Sequence, residues 1–249
     1  MPPTVSIVIP VKDDAAQLRR CLRALARQTR LPDEIVVVDN GSSDDSAAVA
    51  FAAGARLIRC DAAGIPAAAS AGYDAARGDL ILRLDADSVP APDWVAAFAQ
   101  AFTTRPDVGA FTGGARFIDG PPALRTPLAA VYLGGYAAAG LAALGHPPLF
   151  GSNMAFRREA WRHVRSRVHR DDATLHDDLD LAFHLGEHRR IRYLPQARLG
   201  ISMRPFGDPR AFARRVRGGF RTVFVHWPTD FPPVRWDRRL LRGLRGARR

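Results

Sequence analysis

Cysteine is scarce in this chain of 249 residues; there are two, Cys21 and Cys60. Each lies inside an apolar segment and neither has a neighbour at metal-ligand spacing. This excludes a disulfide-stapled scaffold or a cysteine-based zinc module, and it predicts two reduced, buried thiols. No basic region precedes the first apolar run, so no secretory signal is expected. Between positions 126 and 156 there is no Asp, Glu, Lys or Arg. Acidic groups are few at the other end: residues 204–249 hold 13 arginines against 3 aspartates, while residues 1–203 hold 23 basic and 22 acidic groups. The net charge of +11 therefore belongs to the last fifth of the chain. A neutral body with no recognition motif argues against nucleic-acid binding.

What is present is enough to build a packed core: 47% of residues are hydrophobic and 24% charged, which excludes a disordered chain. Val5-Ser6-Ile7-Val8-Ile9-Pro10 reads as a buried parallel strand. Leu18, Cys21, Leu22 and Leu25 then recur at helical spacing. Strand and helix alternate three more times, with strands at 34–39, 56–59 and 79–84 and an Ala-rich helix over 66–77. Ser42 or Ser43 is the expected N-cap of a helix running through Phe51. The alternation predicts a parallel sheet covered by helices on both faces, with ligands beyond the carboxyl ends of the strands. An aspartate stands near each of those ends: Asp13, Asp39, Asp61 and the pair Asp85 and Asp87. Asp is also common in turns, which is the plainer explanation.

Asp85-Ala86-Asp87 places two carboxylates on a tight turn, a donor set suited to Mg²⁺ or Mn²⁺ with a phosphate-bearing substrate. Asp39 can accept from the ring N–H of uracil or guanine, or can simply shape its turn. In His176-Asp177-Asp178-Leu179-Asp180-Leu181, a carboxylate at a helix start can act as a general base. It can equally complement the helix macrodipole. Residues 128–145 are long enough to suggest a membrane span. Their weakly apolar Ala and Gly content, closed by His146-Pro147-Pro148, instead predicts a core helix or one lying on a membrane surface.

Taken together, these segments resemble family 2 glycosyltransferases. The likeness lies in Val5 to Asp13, in Asp33 to Asp44, and in Arg83-Leu84-Asp85-Ala86-Asp87. It continues in Gly151-Ser152-Asn153-Met154-Ala155-Phe156-Arg157-Arg158 and in Asp177-Asp178-Leu179-Asp180-Leu181, in that order over residues 4–195. The resemblance implies a GT-A fold: an α/β architecture whose mostly parallel nucleotide-binding sheet is flanked by helices. It further implies a nucleotide-diphosphate sugar donor, a UDP-sugar ahead of a GDP-sugar, and inversion at the anomeric carbon. Pro10, Val11 and Asp13 match the loop lining the nucleotide, and Asp39 the acid that binds the base. Asp85 and Asp87, on either side of Ala86, match the ribose, metal and diphosphate ligands. Asp61 joins the nucleotide side by its place after the third strand. Gly151, Ser152 and Asn153 match the acceptor site. Asp178 matches the catalytic base, beside Asp177 where the family more often has Glu. Lys12 stands where an aromatic is frequent. Ala69-Ser70 replace a frequent Arg-Asn, so no basic phosphate ligand carries over from residues 64–72.

Residues 1–203 are expected to form the catalytic domain, and residues 204–249 a basic, helical C-terminal extension. In that extension Phe212, Val216, Phe220 and Phe224 recur at helical steps. Trp236, Leu240, Leu241 and Leu244 follow among arginines. Such a segment suits an anionic membrane surface, although a lid over the sheet or a solvated tail has the same composition. With a lipid-linked acceptor this implies a cytoplasmic protein, peripheral on the inner membrane face. His226 is a candidate to complete the metal site, against a structural role before Trp227-Pro228. Two other classes compete. A sugar nucleotidyltransferase needs a glycine after the first strand, which Val11-Lys12-Asp13-Asp14 lacks. A catalytically inactive adaptor is disfavoured by the intact Asp39, Asp85, Asp87 and Asp178.

Overall fold

The computed structural model describes residues 1–238. Leu240, Leu241 and Leu244 lie outside the described residues. Alternation of β-branched runs and amphipathic helices gives β1 (Val5–Val11), α1 (Ala15–Leu25), β2 (Glu34–Asp39), α2 (Ser46–Ala52), β3 (Arg56–Arg59), α3 (Ile65–Ala75) and β4 (Leu80–Arg83). The second half holds β5 (Val89–Pro90), α4 (Trp94–Thr104), β6 (Val108–Phe117), α5 (Pro122–Leu144), β7 (Met154–Arg157), α6 (Arg158–Val164), α7 (Asp177–His188), β8 (Arg190–Ile201) and α8 (Pro209–Val225). Residues 232–238 are also helical.

Among the described residues, eight strands form one sheet in the order β3-β2-β1-β4-β7-β6-β8-β5. The β3-β2-β1-β4 half is parallel, so Val11, Asp39, Arg59 and Arg83 all end at one edge. β7 pairs antiparallel with β4, and Arg83 sits opposite Met154. This reversal returns residues 151–153 to the edge where β4 ends. Side chains alternate between the two faces as a pleat requires. Ile7, Ile9, Val37 and Leu82 pack with Leu18, Leu22, Trp94 and Phe98 on one side. Val8, Val36, Val38 and Ile81 pack with Tyr73, Trp161, Leu181 and Phe183 on the other. Helix α3 approaches its face closely because Gly72 has no Cβ, which would collide with Val8 and Val38.

Three expectations need correction. The second helix starts at Ser46 rather than after Ser42 or Ser43, because those serines serve Asp39 and Asp13 instead. Asp44 takes the Ser46 N–H and hydroxyl. The 128–145 stretch is not a core helix. It belongs to α5, in which only Ala129, Gly140 and Leu144 are buried. Apolar residues surround α5 on all sides, so a single packed stripe leaves Leu124, Val131 and Leu141 exposed. α5 is also the one helix among the described residues long and apolar enough to cross a membrane. Finally, Cys21 is buried but Cys60, at the end of β3, is only half-buried.

The C-terminal segment packs on the body as far as it is described. The His176 N–H donates to Thr222 Oγ1 of α8 (2.9 Å). Arg235 is buried, donates to the Leu144 and Phe183 carbonyls, and lies over the Phe183 ring. Trp236 Nε1 donates to the Ala142 carbonyl of α5 (2.9 Å).

Candidate active site

The loops after β1 and β2 are joined through carboxylates. Asp13 has a left-handed backbone, φ 50°, a conformation that Asp tolerates better than most residues. Its Oδ1 accepts from the Ser43 N–H (2.7 Å) and hydroxyl (2.9 Å), which hold its carboxyl below the usual carboxylate range. Its own N–H donates to Ser42 Oγ (3.0 Å). Asp39 is buried and its Oδ1 accepts from the Ser42 N–H (2.9 Å). Pro10 is half-buried and Val11 buried at the end of β1. Asp61 is exposed beyond β3 and is not drawn into this cluster. Asn40 spans its backbone instead, donating to the carbonyls of Cys60 and Ala62.

At the end of β4, Arg83 organises the centre. Its side chain is 3% exposed; Nη1 lies 2.7 Å from Asp177 Oδ2 and Nη2 lies 3.0 Å from Asp85 Oδ1. One guanidinium thus ties the turn holding Asp85 to the start of α7. Burial pushes Asp177 up to about 7, against the Arg83 charge, with Asp178 adding to the rise. Ser152 Oγ donates to Asp85 Oδ2 (2.5 Å), and the Gly151 N–H donates to Asp178 Oδ2 (2.7 Å). Gly151 must be glycine here. A Cβ would collide with the Arg83 guanidinium and lie 3.0 Å from Asp178 Oδ2. The Leu179 N–H donates to Asp178 Oδ1 (2.7 Å), so both oxygens of Asp178 are oriented by backbone.

Asn153 is fully buried and faces inward. It accepts from Trp94 Nε1 (2.8 Å) and donates to the Gly114 and Ala197 carbonyls (2.7 Å each). Its amide therefore positions β7 and the turn before it. Ala86 is buried between the two carboxylates of its turn.

Asp87 meets Arg204, whose Nη2 lies 2.7 Å from Asp87 Oδ2 and 2.6 Å from Asp14 Oδ2. Burial, and then Asp85, push the Asp87 carboxyl up despite Arg204. Asp14, Asp85 and Asp87 stand at this edge, Asp14 and Asp87 paired with Arg204 and Asp85 with Arg83; carboxylate oxygens are the donor type that a hard divalent cation takes. His226 is not part of that set. It is buried, with Nε2 3.0 Å from Asp180 Oδ1 of α7 rather than at the Asp85–Asp87 turn.

Sequence reasoning missed three residues here. Arg83 had a signal, a basic residue at a strand end two positions before Asp85. Arg204 meets Asp87 across 117 positions, which no local pattern reveals. Tyr136 of α5 donates to the Leu149 carbonyl (2.6 Å) and lies close enough to Asp178 to feel its charge. Beside it runs an apolar groove of about 550 Å³, lined by Thr112, Ala129, Leu133, Pro148, Phe150 and Tyr193 among others.

An edge of strand-end carboxylates facing an acidic helix start defines a GT-A glycosyltransferase architecture. The chain belongs to glycosyl transferase family 2, whose model matches residues 6–165. Among curated relatives, an undecaprenyl-phosphate 4-deoxy-4-formamido-L-arabinose transferase of Pseudomonas fluorescens is 40% identical over 99 residues, covering 36% of this chain and 29% of that protein. The glycosyltransferase AglE of Haloferax volcanii is 33% identical over 101 residues, covering 37% and 33%. The matches span 20–39% of the length of the first such relatives. The fold is shared with a mannosyltransferase of Pyrobaculum calidifontis, solved with GDP-Man and Mn²⁺ (TM-score 0.67, 21% identity, 94% of this chain and 68% of that one). It is shared too with glucosyl-3-phosphoglycerate synthase of Mycobacterium tuberculosis, solved with Mn²⁺ and UDP (TM-score 0.60, 20% identity, 90% and 79%).

Proposed function

We propose that this chain is an inverting, divalent-metal-dependent glycosyltransferase that moves a sugar from a nucleotide-diphosphate sugar to a hydroxyl or phosphate of a lipid-linked acceptor, in the synthesis of cell-envelope glycans or glycolipids. The observation that carries the reading is the Arg83 bridge. It ties the Asp85–Asp87 turn to the Asp177–Asp178 helix start. Asp39 binds the donor base, with Pro10, Val11 and Asp13 lining the nucleotide; a UDP-sugar is the preferred donor. Asp85 and Asp87 hold Mn²⁺ or Mg²⁺, which, when bound, stabilises the negative charge that develops on the departing diphosphate. Arg204, within reach of Asp87, supplies the basic group that residues 64–72 lack.

Asp178 takes the proton of the acceptor group as that group attacks the anomeric carbon from the face opposite the diphosphate. The C1–O bond breaks and its electrons leave with the nucleotide. The Gly151 and Leu179 N–H groups hold the two oxygens of Asp178 in a fixed orientation. Gly151 and Ser152 border the acceptor, and the groove beside Tyr136 takes its apolar part.

The relatives named for undecaprenyl-phosphate chemistry, the apolar groove and the exposed face of α5 all support a lipid-linked acceptor. On this reading residues 1–203 are the catalytic domain. Residues 204–249 hold an anionic membrane surface from the cytoplasmic side. Asp178→Asn tests the reading. Release of nucleoside diphosphate from a panel of nucleotide sugars, with a polyprenyl phosphate as acceptor, should fall about 10²–10⁴-fold while nucleotide affinity stays the same. Undiminished turnover would overturn the assignment of the base.

A further inference from the structure

Behind the candidate active site, on the far side of α7's first turn, three imidazoles gather around one carboxylate that the transfer reaction does not use. We propose that His169, Asp180, His184 and His226 form a second metal site, one that binds a single transition-metal ion, with Zn²⁺ the cation that best matches its three imidazoles and one carboxylate.

The four residues come from three separate parts of the chain. Asp180 and His184 are one helical turn apart on α7, and so share a face. His169 comes from the loop between α6 and α7, and His226 from the end of α8. One ligand atom from each lies within 4.8 Å of all the others. His169 Nδ1 is 2.7 Å, His226 Nε2 3.0 Å and His184 Nε2 3.7 Å from Asp180 Oδ1. Tetrahedral zinc with bonds of about 2.0–2.1 Å needs donor atoms roughly 3.3 Å apart, so the shortest of these separations open and the longest close, an adjustment that side-chain rotation supplies. Phe183 stacks on His226 at 4.0 Å and fixes that ring.

A hydrogen-bond hub around Asp180 accounts for part of this arrangement but leaves one group out. Asp180 Oδ1 is shared by His169 and His226, and Oδ2 accepts from the His169 N–H. His184 is 8% exposed and aimed at the same point, yet its Nε2 has no hydrogen-bond partner. Buried polar atoms are rarely left so, and an ion at the centre would satisfy all four groups at once. Imidazole-rich sets favour zinc and its neighbours over Mg²⁺, so this site and the all-oxygen Asp85–Asp87 turn select different cations. His169, whose side chain is 35% exposed, provides the way in from solvent. A bound ion would fasten the C-terminal segment to the helix that begins with Asp177 and Asp178.

The full chain, purified without chelator, should carry one zinc by elemental analysis. The zinc should persist in Asp87→Asn and be lost in His184→Ala and in His226→Ala. Chelator-stripped protein titrated with Zn²⁺ in excess Mg²⁺ should gain roughly 5–10 °C in Tm at about 100 times Kd. Co²⁺ should give the intense visible bands of a tetrahedral site, a readout on the unmutated chain that holds even if a variant fails to fold. No stabilisation by Zn²⁺ together with a weak octahedral Co²⁺ spectrum would overturn the proposal. So would equal zinc content in the unmutated chain and both histidine variants.

Discussion

The two halves of the sheet treat their surroundings differently. In the β3-β2-β1-β4 half, the apolar residues of β1, β2 and β4 are packed on both faces, while Phe51 and Ile65 of the flanking helices stay exposed. The polar groups at its edge are tied to one another, Asp13 to Ser43 and Asp39 to Ser42. In the half that follows, α5 leaves most of its apolar surface uncovered, and α8 adds exposed Val216, Phe220 and Phe224 among its arginines. A pre-organised polar edge suits a small, charged, soluble ligand. An uncovered apolar face flanked by positive charge suits a surface that is itself apolar and anionic. The contrast supports the proposal that the donor binds in one half and a lipid-linked acceptor in the other, with Arg83 and Gly151 between them.

The largest disruption of this arrangement should come from Arg83→Met. It removes the buried charge that pairs with half-buried Asp177, and breaking a buried pair costs about 3–5 kcal/mol. Chemical denaturation should show that loss, and the surviving folded fraction should bind nucleotide poorly because the Asp85 turn is no longer held. A stability within about 1 kcal/mol of the unmutated chain would show that the two halves are not joined there.

Next in size is the proposed membrane face. Phe220 and Phe224 are 64% and 65% exposed, so replacing both with Ser should leave Tm nearly unchanged. Binding to vesicles containing anionic lipid should fall by roughly tenfold or more. Equal sedimentation of variant and unmutated chain would remove α8 from the membrane account.

The smallest effect belongs to the covered half. Burial pushes the Glu34 carboxyl up, but hydrogen bonds from Ser6 Oγ and the Arg77 N–H, with the Arg56 charge, outweigh it and leave it below its ordinary value of 4.5. A depressed carboxylate contributes stability above that value and loses it as pH falls through the folded-state pKa. The stability difference between the unmutated chain and Glu34→Gln should therefore be present at pH 7, at under about 1 kcal/mol, and shrink below pH 4.5. A difference that grows on acidification would contradict the sign.

The donor half was legible because its signals are local. Short β-branched runs broken by Pro10 or Asn40-Gly41 give strands, and their alternation with helices gives a parallel edge where Asp13, Asp39, Asp85 and Asp87 collect. Asp61 met the same rule, but its loop turns it out to solvent. Partnerships across the chain were not legible. Arg83 meets Asp177 over 94 positions and His226 meets Asp180 over 46, and no spacing rule encodes such contacts. The fate of α5 was hidden for another reason. Composition tells how apolar a helix is, but not whether the fold has a face left to cover it.

The measurement that tests the central claim most directly is a thermal-shift panel of UDP, GDP, dTDP and CDP, each with and without Mn²⁺. The account predicts that one of them, UDP first, stabilises the protein only when Mn²⁺ is present. The gain should be about 2.7 kcal/mol at 100 times its Kd, a rise of roughly 5–10 °C for a chain of this size. No shift with any nucleotide in the presence of Mn²⁺ would contradict it.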